Sequence, residues 1–343
     1  MFANWKSAVY EYAQRRNRLE IEGDAGEQLM SIVRDDRFVR KLDVRLRRMK
    51  AGRKARRAEP LRSETGLKIR NTDDFGQEAY VELEFRRSME YGQEGQSFRE
   101  DRMDVELLKI AQRGKQWIIA GVEPMATERR GSSAAPPPFV QTDQEEPDPS
   151  AGLVRPAPFL SPLVSASSGF RPVSRVREYE REKARRYAEK WWNGTEPQYA
   201  ELESDCTNFV SQCLFAGGAP MNYTGKRESG WWYQGKDGSK EYWSYSWAVA
   251  HSLQAFLTSS KGGLRADVTD SPHKLAIGDV ICYDWDGDGR FQHNAIVTGF
   301  DAAGMPLVNA HTTNSRMRYW DYRDSYAWTP NTRYRFLHIA DSF

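Results

Sequence analysis

The sequence has few cysteines, no long apolar run and no excess of charge of either sign. Its 343 residues include 3 cysteines, which are too few for the disulfide framework of a small secreted protein, and none stands in a C-x-x-C pair. We therefore expect free thiols. The formal net charge of +2, from 50 basic and 48 acidic side chains, gives no reason to expect a nucleic-acid partner for the whole molecule.

Segments that would direct the chain to a membrane are also missing from the sequence. No apolar run reaches the roughly 18 residues that a transmembrane helix needs. The N-terminus has no apolar stretch of signal-peptide length and carries Lys6 and Glu11 early. These absences predict a cytoplasmic protein without a membrane span.

Tryptophan is abundant and unevenly distributed. Of the 11 tryptophans, Trp5 and Trp117 are the only ones that precede residue 190. Residues 128–169 are rich in Pro, Ser, Ala and Gly and lack periodicity, which is typical of an extended linker. We predict two modules joined by a flexible tether: an N-terminal α+β domain of unknown role (1–124), a linker (125–173) and a C-terminal domain (174–343).

The N-terminal module has helix-forming sequence followed by alternating, strand-like segments. Residues 79–85 alternate apolar and polar side chains, as a half-buried antiparallel strand does. Helices followed by a meander resemble in outline the cone-shaped nuclear-transport-factor-like folds, which implies no activity. The run 37–57 is strongly basic, with Asp43 as its one acid. We interpret it as a solvated helix face rather than a patch for nucleic acid or anionic lipid, because no aromatic interleaving accompanies it.

Cys206 is the thiol whose position indicates chemistry. The segment "DCTNFVSQCLFAGG" predicts a helix that Asp205 caps and that has Cys206 in its first turn. Free backbone N–H groups and the helix dipole would lower the pKa of such a thiol and favour the thiolate. Cys213 falls on the apolar face of this helix and Cys282 lies inside a predicted strand, so both are predicted to be core residues.

A catalytic thiol needs a base, commonly a histidine that a third polar group orients. His293 is the strongest candidate, because it begins a predicted strand that follows the strand 280–283 and an acidic turn. The next strand offers Asn309 and His311, which lie two residues apart and so on one face. Either could orient the ring of His293. The other three histidines are predicted to be structural or exposed: His251, His273 and His338.

These motifs closely resemble the putative amidase domain found in bacterial proteins. The resemblance covers about residues 175–338 and rests on Asp-Cys at a helix start, Gly-Asp before a strand and a histidine that opens the next strand. That family is similar to the NlpC-type and CHAP papain-like cysteine hydrolases. The resemblance implies a papain-like α+β domain, in which the helix that bears the cysteine packs on an antiparallel sheet.

Carried over to this chain, the resemblance implies that Cys206 is the nucleophile and His293 the general base and later acid. It implies His311 as the third catalytic residue, with Asn309 as a second candidate. The backbone N–H of Cys206, with the side chain of Asn208, would supply the oxyanion hole. We expect an acyl-enzyme thioester as the intermediate and no cofactor or metal.

Two further features have alternative interpretations. The turn "DWDGDG", with Asp284, Asp286 and Asp288, has the odd-position carboxylates of a calcium loop, but Ala295 stands where the bidentate acid should be. We favour a plain acidic turn. The aromatic cluster between residues 231 and 247 forms either a core or a cleft, and these side chains are the candidates for a cleft: Trp231, Trp232, Trp243 and Trp247.

The sequence therefore predicts cysteine-dependent hydrolysis of an amide bond, with an amide or peptide substrate. Cell-wall peptides are suggested by the resemblance alone. The alternative is a non-catalytic module that uses an aromatic cleft of the same fold to bind a peptide or a glycan. The oligomeric state cannot be read from the sequence.

Overall fold

A computed structural model describes residues 4–22, 29–125, 128–129, 177–237 and 240–343. Most of the predicted linker at 125–173 lies outside the described residues. Among the helices described, none is both long and apolar enough to cross a membrane.

The described residues of the N-terminal part include two long helices and four strands. They are α1 (Trp5–Glu22), α2 (Asp36–Ala55), β1 (Glu59–Asp74), β2 (Glu78–Gln93), β3 (Gln96–Arg113) and β4 (Gln116–Pro124). The strands form an antiparallel meander, as predicted. The alternating apolar side chains of β2 are fully buried in a core that α1 and α2 cover: Ala79, Val81, Leu83 and Phe85. The likeness to nuclear-transport-factor-like folds stays a prediction.

The C-terminal part contains further helices and strands in mixed order. The helices are α3 (Arg181–Trp191), α4 (Cys206–Ala216), α5 (Tyr245–Ala248) and α6 (Ala250–Ser259). The strands are β5 (Tyr233–Asp237), β6 (Lys240–Trp243), β7 (Ala266–Thr269), β8 (Val280–Asp284), β9 (His293–Phe300), β10 (Pro306–Ala310), β11 (Ser315–Tyr319) and β12 (Arg333–Ile339). The predicted helix at residue 206 and the strand that begins with His293 are confirmed.

One antiparallel sheet runs through both parts of the chain. Its strand order is β1-β2-β3-β11-β10-β9-β8-β12-β7, with β4 on β3. The two parts join where β3 pairs with β11, Arg102 lying opposite Ser315 and Asp101 opposite Arg316. The structure is therefore α+β, as predicted. The predicted domain limits and the papain-like fold remain predictions, but the two parts are in contact.

The basic helix α2 takes part in this contact. Arg45 donates to the backbone carbonyl of Asp324, and Arg48 donates to the carbonyls of Ser325 and Trp328, both at 3.0 Å. Arg45 is 3% exposed and also pairs with the buried carboxylate of Glu20 at 2.7 Å. The interpretation of the whole run as a solvated face is thus wrong, because part of the helix is packed against the C-terminal part.

The central strands are buried on both faces. Val280, Cys282 and Ile296 point to one side of the sheet, where they pack with α4 in one apolar cluster. The alternate residues, Ile281 and Ala295 among them, belong to a second cluster on the other side. Because side chains alternate along a strand, each residue's place in β8 and β9 decides which side of the sheet it reaches.

Candidate active site

Cys206 is the first residue of α4 and is only 3% exposed. Its sulfur lies 3.7 Å from the hydroxyl of Thr207, and the backbone N–H of Asn294 and the hydroxyl of Thr312 are also close. Burial raises the pKa of the thiol by more than these donors lower it. The prediction that the helix start lowers this pKa is therefore wrong for the resting structure, because the site excludes the water that would solvate a thiolate.

The other two cysteines are core residues, as predicted. Cys213 and Cys282 are both fully buried in the apolar cluster beneath α4. Burial raises the pKa of each thiol, and neither lies at a helix start as Cys206 does.

Asp205 precedes Cys206 and organises the start of α4, though not as a side-chain cap. Its side chain makes no capping hydrogen bond to the helix. One carboxylate oxygen lies 2.6 Å from Nδ1 of His311, and the other accepts from the backbone N–H of Leu202 at 3.2 Å and from the amide of Asn208 at 2.8 Å. The predicted side-chain cap is thus wrong. Asp205 instead connects the start of α4 to His311, in the turn after β10.

His311 has both ring nitrogens occupied. Besides the contact with Asp205, its Nε2 lies 2.9 Å from the backbone carbonyl of Trp191, and its ring stacks on Phe209 with 4.0 Å between centroids. Both polar partners are acceptors, so each ring nitrogen is placed as a donor. In this structure His311 joins the end of α3 to the start of α4 and does not orient His293.

Asn309 lies on the same side as His311, as the spacing predicts, and is also fully engaged. Its carbonyl oxygen accepts from the hydroxyl of Thr298 and the backbone N–H of Met317, both at 2.8 Å. Its amide donates to Glu189 of α3 at 3.0 Å. Neither candidate for the third catalytic position is therefore hydrogen-bonded to His293.

His293 is completely buried among aromatic rings. Its ring centroid lies 5.3, 5.9 and 5.2 Å from those of Tyr283, Trp285 and Tyr322. Neither ring nitrogen has a hydrogen-bond partner among the described residues. Burial, with a contribution from Arg318, lowers the pKa of His293 to about 4. The imidazole is therefore neutral at neutral pH and, in this conformation, makes no hydrogen bond to Cys206.

Asn208, predicted as an oxyanion donor, is not available for that role. Its amide nitrogen donates to the carbonyl of Ala200 at 2.9 Å and to Asp205, while its oxygen accepts from the indole of Trp247 at 2.8 Å. Thr312, which the sequence analysis missed, has a buried hydroxyl oxygen without a hydrogen bond among the described residues, and its φ of 80° is positive. Its only sequence signal is that it follows His311.

A cavity of about 340 Å³ opens beside this cluster. The C-terminal part contributes Asp205, His311 and Thr312 to its wall. The N-terminal part contributes Arg70, Met103 and Val105, and these residues complete the lining: Thr195, Glu201, Leu202, Glu203 and Asn314. Both parts of the chain therefore shape a space whose wall includes Asp205 and Thr312, the neighbours of Cys206, but not Cys206 itself.

The tryptophans proposed for a cleft belong mostly to the core. Trp231 and Trp247 are fully buried and lie against each other, with 4.9 Å between ring centroids, and Trp232 is 3% exposed. The cleft prediction is wrong for Trp231 and Trp247, because their indoles belong to the apolar cluster that packs on α4. Trp232 is also buried, and its indole donates to the carbonyl of Ser229 at 3.1 Å. Trp243 is partly buried and packs against the same cluster.

The acidic turn is held by its own backbone. The carboxylate of Asp284 accepts from the N–H groups of Asp286, Gly287 and Gly289 at 3.3, 2.8 and 2.8 Å. Over the described ranges, no group of three or more His, Cys, Asp or Glu side chains could hold a metal ion. The sequence analysis missed a contact between His338 and Asp279. Nδ1 of His338 lies 2.7 Å from the carboxylate of Asp279, and this contact holds β12 beside the start of β8.

The sequence of the C-terminal part matches a known family. The profile of the family described as "Putative amidase domain" matches residues 178–337. We refer to these residues as the amidase domain. The amidase domain thus contains Cys206, His293, Asn309 and His311, and the family description points in general terms to a hydrolase of amide bonds.

Two curated relatives of this chain come from Bacillus subtilis (strain 168). Uncharacterized protein YhbB is 54% identical over 167 residues, which cover 49% of this chain and 52% of that protein. Uncharacterized protein YjcM is 31% identical over 150 residues, 40% of this chain and 32% of that protein. The chain therefore spans about half the length of the first relative and about a third of the second.

A comparison with solved structures matches the crystal structure of the intermembrane space region of chloroplast protein ARC6. The TM-score is 0.25 at 12% identity, and the match covers 36% of this chain and 96% of that one. Similarity at this level carries no argument about fold or function.

Proposed function

We propose that the amidase domain hydrolyses an amide bond with Cys206 as the nucleophile and His293 as the general base. The observation that carries this proposal is the position of Cys206, at the first residue of α4, where the N–H of Asn294 and the hydroxyl of Thr312 approach the sulfur beside a cavity. A buried thiol with converging donors, next to an open space, suits attack on a bound carbonyl group.

The choice of base rests on which imidazole has a free lone pair. Both nitrogens of His311 face acceptors, whereas neither nitrogen of His293 has a hydrogen-bond partner in the part of the chain that the structure describes. His293 is neutral at pH 7 and directly precedes Asn294, whose backbone N–H approaches the sulfur. A buried polar group without a partner needs an explanation. In this proposal, His293 accepts the proton of the Cys206 thiol. His293 lies on the same side of the sheet as Ala295, whereas α4 and Cys206 lie on the other side. The proposal therefore requires the start of β9 to rearrange, so that the ring reaches Cys206, when substrate binds.

The proposed reaction then has two stages. The thiol proton of Cys206 passes to His293 as the sulfur attacks the carbonyl carbon, and the C–N bond breaks as His293 returns the proton to the leaving amine. Water, deprotonated by His293, attacks the resulting thioester, and the acid leaves as the thiol is restored. The N–H of Cys206 and the hydroxyl of Thr312 are the donors we assign to the oxyanion.

His311 has a positioning role in this proposal. Its contacts with Asp205 and the carbonyl of Trp191 hold the start of α4 against the end of α3. The substrate is an amide, and cell-wall peptides are suggested by the family resemblance. Residues of the N-terminal part line the cavity, so we infer that this part contributes to substrate selection.

A non-catalytic binding domain is the second candidate function. The observation that favours it is the missing hydrogen bond between Cys206 and either imidazole in the resting structure. The burial of Trp231, Trp232 and Trp247 removes most of the aromatic cleft that this function would use.

Turnover assays with matched variants test the proposal. Wild-type protein, Cys206→Ala and His293→Ala would be assayed on peptidoglycan fragments and simple amides, with Cys213→Ala as the cysteine control. We expect Cys206→Ala and His293→Ala each to lose on the order of a thousandfold or more in kcat/KM, and Cys213→Ala to remain active. A Cys206→Ala protein that keeps wild-type turnover would refute the mechanism. Binding of peptides by the wild type without turnover or a thioester in intact-mass spectra would establish the non-catalytic function instead.

A further inference from the structure

We propose that a groove between α2 and the segment 326–328 is a binding site for a small multivalent anion that carries phosphate or carboxylate groups. The groove encloses a cavity of about 800 Å³, a size that accommodates a small ligand. Its lining includes five cationic side chains and two carboxylates: Arg37, Arg40, Lys41, Arg48, Arg129, Asp35 and Glu123. None of them lines the cavity beside Cys206.

The cations that α2 contributes lie on one side of the helix. Residues 37, 40, 41, 44 and 48 follow the spacing of three and four that places side chains on a single helical face. Within the described part of the chain, Arg37, Arg40 and Lys41 are exposed and have no ion pair or hydrogen bond. Three neighbouring cations without counter-charges repel one another, and a multivalent anion between them would relieve that repulsion.

Arg48 adds a fourth positive charge, and it forms no ion pair with a carboxylate of the described residues. Its guanidinium donates to two backbone carbonyls, those of Ser325 and Trp328, and lies 4.9 Å from the centroid of the Trp328 ring. Carbonyls orient the guanidinium without cancelling its charge. Arg48 also ties α2 to the opposite wall, so the two walls are held in place before a ligand arrives.

Asp35, one of the two acidic residues of the lining, bonds to backbone N–H groups and not to these cations. The carboxylate of Asp35 accepts from the backbone N–H groups of Phe38 at 2.9 Å and Val122 at 3.2 Å. The fifth cation, Arg129, is neutralised by its ion pair with Asp286 on the far side. The groove therefore presents Arg37, Arg40, Lys41 and Arg48 to a ligand.

The chemistry of these side chains selects the ligand class. Guanidinium groups match the oxygens of phosphate and carboxylate in a two-pronged geometry, and a lysine ammonium adds a point charge. Several cations around one cavity favour an anion with several charged groups over a singly charged one. Because α2 belongs to the N-terminal part and 326–328 to the amidase domain, the bound anion would bridge the two parts and stabilise their contact.

Isothermal titration calorimetry on the full chain tests this site with sodium tripolyphosphate as the phosphate probe and citrate as the carboxylate probe. The site variant carries Arg37→Gln, Arg40→Gln and Lys41→Gln, which are exposed positions whose replacement leaves the core intact. We expect the wild type to bind at least one probe, and the site variant to bind it at least tenfold more weakly, since each lost charge-assisted hydrogen bond is worth about a factor of ten.

A charge-matched control separates this site from general attraction of anions. The control protein carries Arg47→Gln, Lys54→Gln and Arg57→Gln, which remove the same charge from exposed positions that do not line the groove. We expect it to bind within about twofold of the wild type at moderate salt, where distant charges are screened. Equal weakening of the site and control variants would overturn the proposal, as would a wild-type protein that binds neither probe at low salt.

Discussion

Nδ1 of His311 lies 2.6 Å from the carboxylate of Asp205, the residue that immediately precedes Cys206. This contact joins the turn after β10 to the first residue of α4, two segments more than a hundred positions apart in the chain. The proposed nucleophile therefore lies where the start of a helix meets the end of a central strand. The conformation of the site therefore depends on a polar pair, and the predictions begin with that pair.

Removing the carboxylate of Asp205 should destabilise the domain. In Asp205→Ala, the ring of His311, the amide of Asn208 and the N–H of Leu202 all lose an acceptor in a buried environment. We expect a loss of about 2–4 kcal/mol in the free energy of unfolding, measured by urea titration. The control is Glu203→Ala, an exposed position nearby, with an expected change within about 0.5 kcal/mol. Equal effects of the two substitutions would contradict the assigned role of Asp205.

The Cys206 thiol should react slowly at neutral pH and faster at alkaline pH, because its pKa is raised. Burial raises this pKa, so the folded thiol is protonated at neutral pH, and the thiolate forms only above the ordinary range of cysteine. We expect slow alkylation by iodoacetamide at pH 7 that accelerates as the pH rises beyond about 9, read by peptide mass spectrometry. Cys206 should still react before Cys213 and Cys282, which are fully buried. Rapid labelling of Cys206 at pH 6 would show that the thiolate is stabilised after all.

His293 should make the protein sensitive to acid. Its folded pKa of about 4 lies below the value of 6.5 for an ordinary histidine, so the unfolded chain binds this proton more readily. The contribution of neutral His293 is complete above pH 6.5 and is lost as the pH falls towards 4, by roughly 3 kcal/mol in all. Urea unfolding between pH 7.5 and 4.5 should show this decline in the wild type and a smaller one in His293→Phe. The exposed His273→Phe variant should behave as the wild type does.

The contact between the two parts of the chain should depend on Asp324. Its carboxylate pairs with Arg102 of β3 at 2.5 Å and with Arg318 of β11 at 3.0 Å. Although burial raises the pKa of Asp324, these arginines lower it by more. In Asp324→Asn both guanidinium groups lose a counter-charge, and we expect a loss of about 3–5 kcal/mol in unfolding free energy.

An exposed pair provides the comparison for Asp324. Asp270 pairs with Lys274 at the surface, and Asp270→Asn should leave the melting temperature close to that of the wild type, because water and salt screen exposed ion pairs. Thermal denaturation of both variants would measure the difference. If Asp324→Asn melted at the wild-type temperature, the buried pairs between the two parts would not contribute to stability.

Several elements of the fold follow from local sequence patterns. The alternation in β2, the apolar face of α4 and the position of His293 at the start of β9 were predicted from periodicity, because each reflects which side chains a single element must bury. The core positions of Cys213 and Cys282 follow from the same patterns. Local patterns did not predict the contact of α2 with the amidase domain, since basic residues give the same pattern whether they meet water or a carbonyl.

The sequence predicted which residues belong to the candidate site, but not how their side chains are hydrogen-bonded. The motifs selected Cys206, His293, Asn309 and His311, but the polar partners of these side chains come from distant segments, such as the carbonyl of Trp191 for His311. Thr312 was missed because a lone threonine after a histidine has no distinguishing pattern. Hydrogen-bond partners depend on how elements pack, which periodicity does not report.

The amino-acid sequence by itself determined the elements, the family of residues 178–337 and the thiol at a helix start, because these depend on neighbours along the chain. Only the tertiary structure decided that one sheet passes through both parts, that burial outweighs the helix start in setting the pKa of Cys206, and that His311 pairs with Asp205. Desolvation and the pairing of remote polar groups depend on what surrounds a side chain in space, and that is decided when the elements pack together.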